Sequence, residues 1–274
     1  MKNKRFLSFV PVYAFVGIVS FMAIFPFYIM MTMSTYLSED LFTGIKLLPG
    51  NYLIENFKTV MAVNFLRFYW NSTYVALTNT IGAVFISALT GYAFAKFNFR
   101  FKKVLFYFIL GSLMIPPQLG LVGFVSEMRF FGIGNTHLAL ILPGIANAFG
   151  VFWMTQFISA AVPSEILESA VMDGCSTMRI FIQIVLPIIR SAQITLFLLF
   201  FLWKWNDYMG PLVIISKEAL YTIPLSIALM GTEYRTDFAA RILALAISTI
   251  PILIIFAIGS KHLIRGLTAG SVKG

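Results

Sequence analysis

Few residues in this chain are equipped for bond-making chemistry, and they do not cluster. The two histidines, His137 and His262, stand far apart with no second ligand type at metal spacing around either. The single cysteine, Cys175, rules out an internal disulfide and a thiolate metal centre. No nucleophile is paired with a base, so no catalytic residue, metal or cofactor is assigned, and the chain is read as a non-enzyme. The phosphate-binding pattern G-x-x-x-x-G-K-[ST] is absent as well. What remains is recognition chemistry. Lys204 and Asp207 lie three apart in an otherwise apolar run, flanking Trp205 and Asn206. At that spacing they share a helix face and can pair. Hydrogen-bonding groups beside an aromatic face suit the lining of a small-molecule cavity, so Trp205, Asn206 and Asp207 are candidate pathway residues. The same four residues also suit a helix that ends early in the outer headgroup region, with Trp205 and Tyr208 as interface aromatics. Asn79 and Asn147 sit in two other apolar runs, where an amide lines a cavity or, more commonly, joins helices by hydrogen bonds.

The elements that carry these residues are set by composition. The chain is 59% hydrophobic and 11% charged, against about 25% charged in soluble domains. A soluble fold of 274 residues has too little interior for that apolar surface, so an all-α polytopic membrane protein is expected. Six stretches, residues 10–33, 73–94, 104–124, 138–157, 192–215 and 242–260, are long enough to cross a hydrocarbon core that takes about 20 helical residues. No soluble domain or short repeat interrupts them, so residues 1–274 are read as one transmembrane domain. The first run follows Lys2, Lys4 and Arg5 as a secretory signal would, but it is too long and lacks a small-x-small cleavage site, so it is expected to remain as an anchor.

Charge orients the spans. With the amino terminus inside, the inner segments hold Lys2, Lys4, Arg5, Lys96, Arg100, Lys102, Lys103, Arg179, Arg190, Lys261, Arg265 and Lys273 against Glu165, Glu168 and Asp173. The outer segments balance seven basic residues with seven acidic ones. That asymmetry is the positive-inside pattern, and both termini are expected in the cytoplasm. The net charge of +9 therefore reads as topology, and a nucleic-acid partner is not implied.

One inner segment is unusual. Residues 163–174 read as a short helix with Pro163 and Ser164 at its start, acids in its first turns and Gly174 just past its end. Ile166, Leu167, Ala170 and Val171 fall on one face, while Glu165, Glu168 and Asp173 stay polar. About ten residues are too few to stay helical alone in water. Helices that lie on bilayers favour Lys and Arg on the polar face, and this one is acidic, so docking on protein is the better reading.

The run Glu168-Ser169-Ala170, then Gly174, then Ile184-x-Leu186-Pro187 resembles the EAA loop of binding-protein-dependent ABC importer permeases. Ser169 departs from the usual second alanine by a small-for-small change. The resemblance implies a six-transmembrane-helix type I ABC importer permease with a cytoplasmic coupling helix, which sits in a cleft of an ATPase subunit. Pro163, Glu165, Glu168, Ser169, Ala170, Asp173, Gly174, Leu186 and Pro187 then serve coupling to the ATPase. Trp205-Asn206-Asp207 with Pro211-Leu212, the tail 265–274 and Met114-Ile-Pro-Pro117 resemble the carbohydrate-uptake branch that includes the smaller maltose permease. This implies a second permease subunit, two ATP-binding cassette subunits, an extracytoplasmic solute-binding protein, a sugar substrate and a bacterial or archaeal cytoplasmic membrane. It also implies that the tail enters a partner interface and that Gly231, Thr232 and Glu233 reach the binding protein. Pro116-Pro117 and Pro143-Gly144 mark expected bends. The competing classes are an ion-coupled secondary transporter, for which Asp207 is the one intramembrane acid and no repeat is evident, and an importer permease for another small solute.

Overall fold

The computed structural model describes residues 2–230 and 237–268, with side chains from 11 to 230 and from 237 to 259. Among the described residues all regular structure is helical. In chain order the helices are α1 (Lys2–Met33), α2 (Leu53–Ala62), α3 (Phe65–Lys96), α4 (Lys102–Ser112), α5 (Leu121–Phe130), α6 (His137–Ile145), α7 (Ala148–Ala161) and α8 (Ser164–Met172). They continue as α9 (Thr177–Ile180), α10 (Leu186–Ile188), α11 (Arg190–Trp205), α12 (Met209–Ile214), α13 (Ile223–Ala228), α14 (Phe238–Ser248) and α15 (Ile250–Thr268). A π-helical turn, Phe181–Val185, joins α9 to α10.

Four helical stretches are long and apolar enough to cross a membrane: Pro11–Met33, Phe65–Lys96, His137–Ala161 and Phe238–Gly259. They coincide with four of the six expected spans. The other two are bent. Lys102–Ser112 and Pro117–Phe130 meet at 94°, and Thr177–Ile188 and Arg190–Trp205 meet at 79°. The span expected over 104–124 thus carries a sharp bend at Pro116-Pro117, where one was expected. Pro116 and Pro117 have no N–H to offer the carbonyls of the preceding turn, so α4 cannot continue through them. The expected span over 192–215 is corrected at both ends. Its helix stops at Trp205 with Asn206 as its C-cap, and Asp207 caps the separate helix α12 that follows. Upstream the chain is already helical from Thr177, on the far side of the bend at Ile189.

The chain forms two compact units, one built on Met1–Leu66 with Ser226–Ile250 and the other on Arg67–Leu225 with Pro251–Gly274. In the first, α14 packs on α1 and α2, and buried polar groups tie the loops. The Asn56 amide donates to the carbonyls of Ser34 and Tyr36, both at 2.8 Å. Ser38 donates to Asp237 at 2.8 Å, and Asp237 caps α14 by accepting from the Ala240 N–H at 3.0 Å. Residues 11–28 of α1 are exposed throughout, an apolar surface suited to lipid or to another membrane subunit.

In the second unit α3 lies close against α6 and α7 because glycines leave room. A Cβ on Gly91 would lie 2.6 Å from Met154 Cβ and 2.9 Å from its backbone carbon, and one on Gly150 would lie 2.2 Å from Ser87 Oγ. Small residues at such contacts let helix backbones approach, which supplies packing where lipid removes the usual hydrophobic drive. Beneath these contacts a core forms from Tyr92, Met154, Ile158, Phe181, Val185, Ile189 and Leu196. Gly91→Val should lower stability by about 2–3 kcal/mol, as overpacking against backbone does. Gly111→Val, whose Cβ meets nothing within 4 Å, should leave it near wild type. Thermal unfolding in detergent measures both.

Candidate functional site

Helix α8 is built much as its residue types dictate. Pro163 stands at the N-cap with φ −62° and ψ 140°, and Glu165 lies in the first turn. Neither Pro163 nor Ser164 supplies a side-chain cap, so the amino end is shaped by the fixed proline φ. The carboxyl end is a Schellman turn. Gly174 adopts φ +78°, its N–H donates to the Val171 carbonyl at 3.0 Å, and the Cys175 N–H donates to the Ala170 carbonyl at 3.0 Å. Ala170 and Cys175 then meet the core that also holds Val162 and Ile158, with Leu167 beside them. The Ser169 hydroxyl folds back onto its own helix and donates to the Glu165 carbonyl at 2.9 Å, so the departure from alanine changes no packing contact.

The face expected to be apolar is thus divided. Leu167 and Ala170 dock on the chain's own core, while Ile166, Val171 and Met172 are 43%, 61% and 87% exposed. Glu165, Glu168 and Asp173 are exposed, and none forms an ion pair among the described residues. A short helix held by one side and showing apolar and acidic groups on the other has the form of half an interface.

From α8 the chain leads into the bundle through a shaped connection. Ser176 caps α9 by accepting from the Arg179 N–H at 3.4 Å. The π-helical turn follows, with the Leu186 N–H donating to Phe181, five residues back. Pro187 has no N–H for the Gln183 carbonyl, and this loss accounts for the wider turn. Phe181 is buried, stacked on Tyr92 at 5.6 Å between ring centroids. Leu186 packs on the same core, and Pro187 is exposed.

The candidate pathway residues are otherwise engaged. Trp205 is 2% exposed, stacked on Phe201 at 5.5 Å and edge-on to Tyr69 at 5.5 Å. Asn206 is exposed, and its amide donates to the Leu202 carbonyl at 2.8 Å. Asp207 accepts from Lys204 Nζ at 2.9 Å with one oxygen and from the Gly210 N–H at 3.1 Å with the other, which starts α12. Asn79 donates to the Ile141 carbonyl at 2.7 Å across the α3–α6 contact, and Asn147 caps α7 by accepting from the Gly150 N–H at 3.0 Å. Asn79 thus joins two helices, and Asn147 caps the start of its own. Gly231, Thr232 and Glu233 lie outside the described residues, as do residues 269–274 of the tail.

Two features had no signal in the sequence. One is an open cavity of about 380 Å³ between α5 and the end of α12, lined in part by Arg129, Asn135 and Ser216. The Asn135 side chain, on a residue with φ +57°, shapes it by accepting from the N–H groups of Ser216 and Lys217 at 3.0 and 3.1 Å. The other is a hydrogen bond from Lys96 Nζ to the Val162 carbonyl, directly ahead of α8.

Among the described residues the chain is a helical bundle with several helices long and apolar enough to span a membrane and a short helix on the loop between two of them. Residues 83–269 match the family described as binding-protein-dependent transport system inner membrane component. The chain belongs to that family, and is a multi-pass inner-membrane permease that works with ABC-transporter partners, an ATPase and a solute-binding protein. It is 30% identical to the lactose transport system permease protein of Rhizobium radiobacter over 271 residues, covering 98% of each chain. It is 28% identical to an arabinooligosaccharides transport system permease protein of Halalkalibacterium halodurans, covering 100% of this chain and 99% of that one. It is 32% identical to an sn-glycerol-3-phosphate transport system permease protein of Salmonella typhi, covering 89% and 90%. In fold it is similar to a chain of a bacterial ABC transporter involved in the import of the acidic polysaccharide alginate, with a TM-score of 0.77, 19% identity and coverage of 95% and 98%.

The geometry at Asp207 makes a separable forecast. Asp207→Asn keeps the capping oxygen and gives up only the Lys204 ion pair, so it should cost less stability than Asp207→Ala, which also gives up a helix cap usually worth about 1 kcal/mol. A loss of uptake in Asp207→Asn at unchanged melting temperature would instead assign the carboxylate to transport.

Proposed function

We propose that this chain is one of two permease subunits of an importer for a sugar or oligosaccharide. It rests through α8 on one of two ATP-binding cassette subunits and receives substrate from an extracytoplasmic binding protein. The observation that carries the coupling assignment is the divided helix α8, anchored by Leu167, Ala170 and Cys175 and open along Ile166, Val171 and Met172. The sugar class is supported by the relatives named for lactose and arabinooligosaccharides. The ion pair of Asp207 with Lys204 supports ATP drive over ion coupling, since this carboxylate is already committed within the chain.

In this reading, closure of the ATPase pair moves α8 as a rigid turn. Pro163, Glu165, Glu168, Ser169, Ala170, Asp173 and Gly174 form the docked unit, and Leu186 and Pro187 lie on the connection through which the movement enters α11. The rocking of two permeases against each other alternates access to the cavity between them. Asn79, Asn147, Trp205, Asn206 and Asp207 then shape the helices of the pathway, and Gly231, Thr232 and Glu233 contact the binding protein.

Gly174→Asp tests the coupling role. A Cβ there meets nothing within 4 Å, so the bundle should still fold. A side chain at φ +78° opposes the Schellman turn by about 1 kcal/mol. The variant should insert at wild-type levels, retain less ATPase in a pull-down and lose about ten-fold in ATP-dependent sugar uptake. Uptake that needs no ATPase and follows an ion gradient would refute the importer reading. Orientation is checked separately: green fluorescent protein should fluoresce on either terminus, and alkaline phosphatase should be active when fused after Gly132.

A further inference from the structure

We infer that Lys96 is a positioning residue for the coupling movement, fastening the inner end of α3 to the backbone joint from which α8 hangs. This rests on the reading of α8 as the ATPase dock. Lys96 is the last residue of α3 and is partly buried. Its Nζ donates to the carbonyl of Val162, 66 residues away in sequence. Val162 ends α7 in an extended conformation, φ −109° and ψ 106°, and is 1% exposed. The next residue is Pro163, the N-cap of α8. The joint between α7 and α8 is therefore a pair of extended residues, with no helical hydrogen bond available to the Val162 carbonyl. Lysine provides a charged donor on a four-carbon stem, long enough to reach that oxygen from a neighbouring helix.

The exit from α8 is tied to the same stretch of α3. Tyr92, one turn before Lys96, stacks on Phe181 at 5.6 Å, and Phe181 opens the π-helical turn that follows α9. Two further turns back, Phe85 meets Phe181 edge-on at 6.1 Å. Gly91 lets the same helix lie against Met154 of α7. The last turns of α3 thus hold the segment entering α8 through Lys96 and the segment leaving it through Tyr92. A push on α8 is delivered to α3 at both ends. A lysine that only snorkels to the membrane surface has no need of this one carbonyl.

The test uses the full complex, with partner permease and ATPase in proteoliposomes, and MgATP with vanadate as the only added probe. Hydrogen exchange is followed at residues 163–175 and at residues 92–101 in wild type, Lys96→Met and Lys96→Arg. In wild type, nucleotide should change exchange in both segments. In Lys96→Met the response at 163–175 should persist while that at 92–101 falls about ten-fold, the equivalent of a lost charge-assisted hydrogen bond. Lys96→Arg, which keeps a charged donor, should restore it. An unchanged response at 92–101 in Lys96→Met overturns the inference, as does failure of Lys96→Met to assemble, which would make the bond merely structural. If the ATPase does not co-purify with wild type, or nucleotide leaves 163–175 indifferent, the docking assignment of α8 itself falls, and the inference with it.

Discussion

Lipid gives a backbone amide no partner, so every interruption of a helix within the membrane must be resolved by the protein itself. Four breaks among the described residues, of more than four in all, show how. At Pro116 and Pro117 two donors are deleted at once and the helix turns through 94°. At Ala146 the ladder stops and Asn147 restarts it by capping α7. At Pro187 the ladder widens to a π-helical turn and then bends at Ile189. After Trp205 the Asp207 carboxylate restarts the chain as α12. Proline removes a donor or a polar side chain replaces one, and the direction of every later helix follows from which of these occurred.

The straight parts of the bundle were open to reading because apolar length is additive along a chain. Residues 10–33, 73–94, 138–157 and 242–260 each contain an uninterrupted run, and each lies within a helix or a nearly continuous pair. The α8 unit was equally open, since its stop depends on one local demand: Gly174 adopts the left-handed conformation that its position required. The bends were not measurable in advance. A proline announces a lost hydrogen bond, but the angle depends on what packs against the freed turn, and that information is tertiary. The bend at Pro116-Pro117 is therefore expected without its angle, and 192–215 reads as one helix although its ladder stops at Trp205.

The same distinction explains the polar residues. An amide or a tryptophan in an apolar run announces a partner without identifying it. Asn79 found the Ile141 carbonyl, Asn147 its own helix end, and Trp205 the rings of Phe201 and Tyr69. Their chemistry would have served a sugar as well. The choice was made by a neighbour more than 50 residues distant for Asn79, by one near and one distant ring for Trp205, and by neighbours within one turn for Asn147 and Asp207. The contact of Lys96 with Val162 belongs to the distant kind, and no local pattern announces it.

The two sides of α8 have independent histories open to them. Leu167, Ala170 and Cys175 face the chain's own core and are constrained by it, while Ile166, Val171 and Met172 stand clear of that core. Substitutions on the outer side leave the folding of this subunit largely untouched. Selection can therefore reshape what α8 presents, residue by residue, without redesigning the membrane bundle behind it. The part held by the fold and the part free of it thus sit side by side on one nine-residue helix.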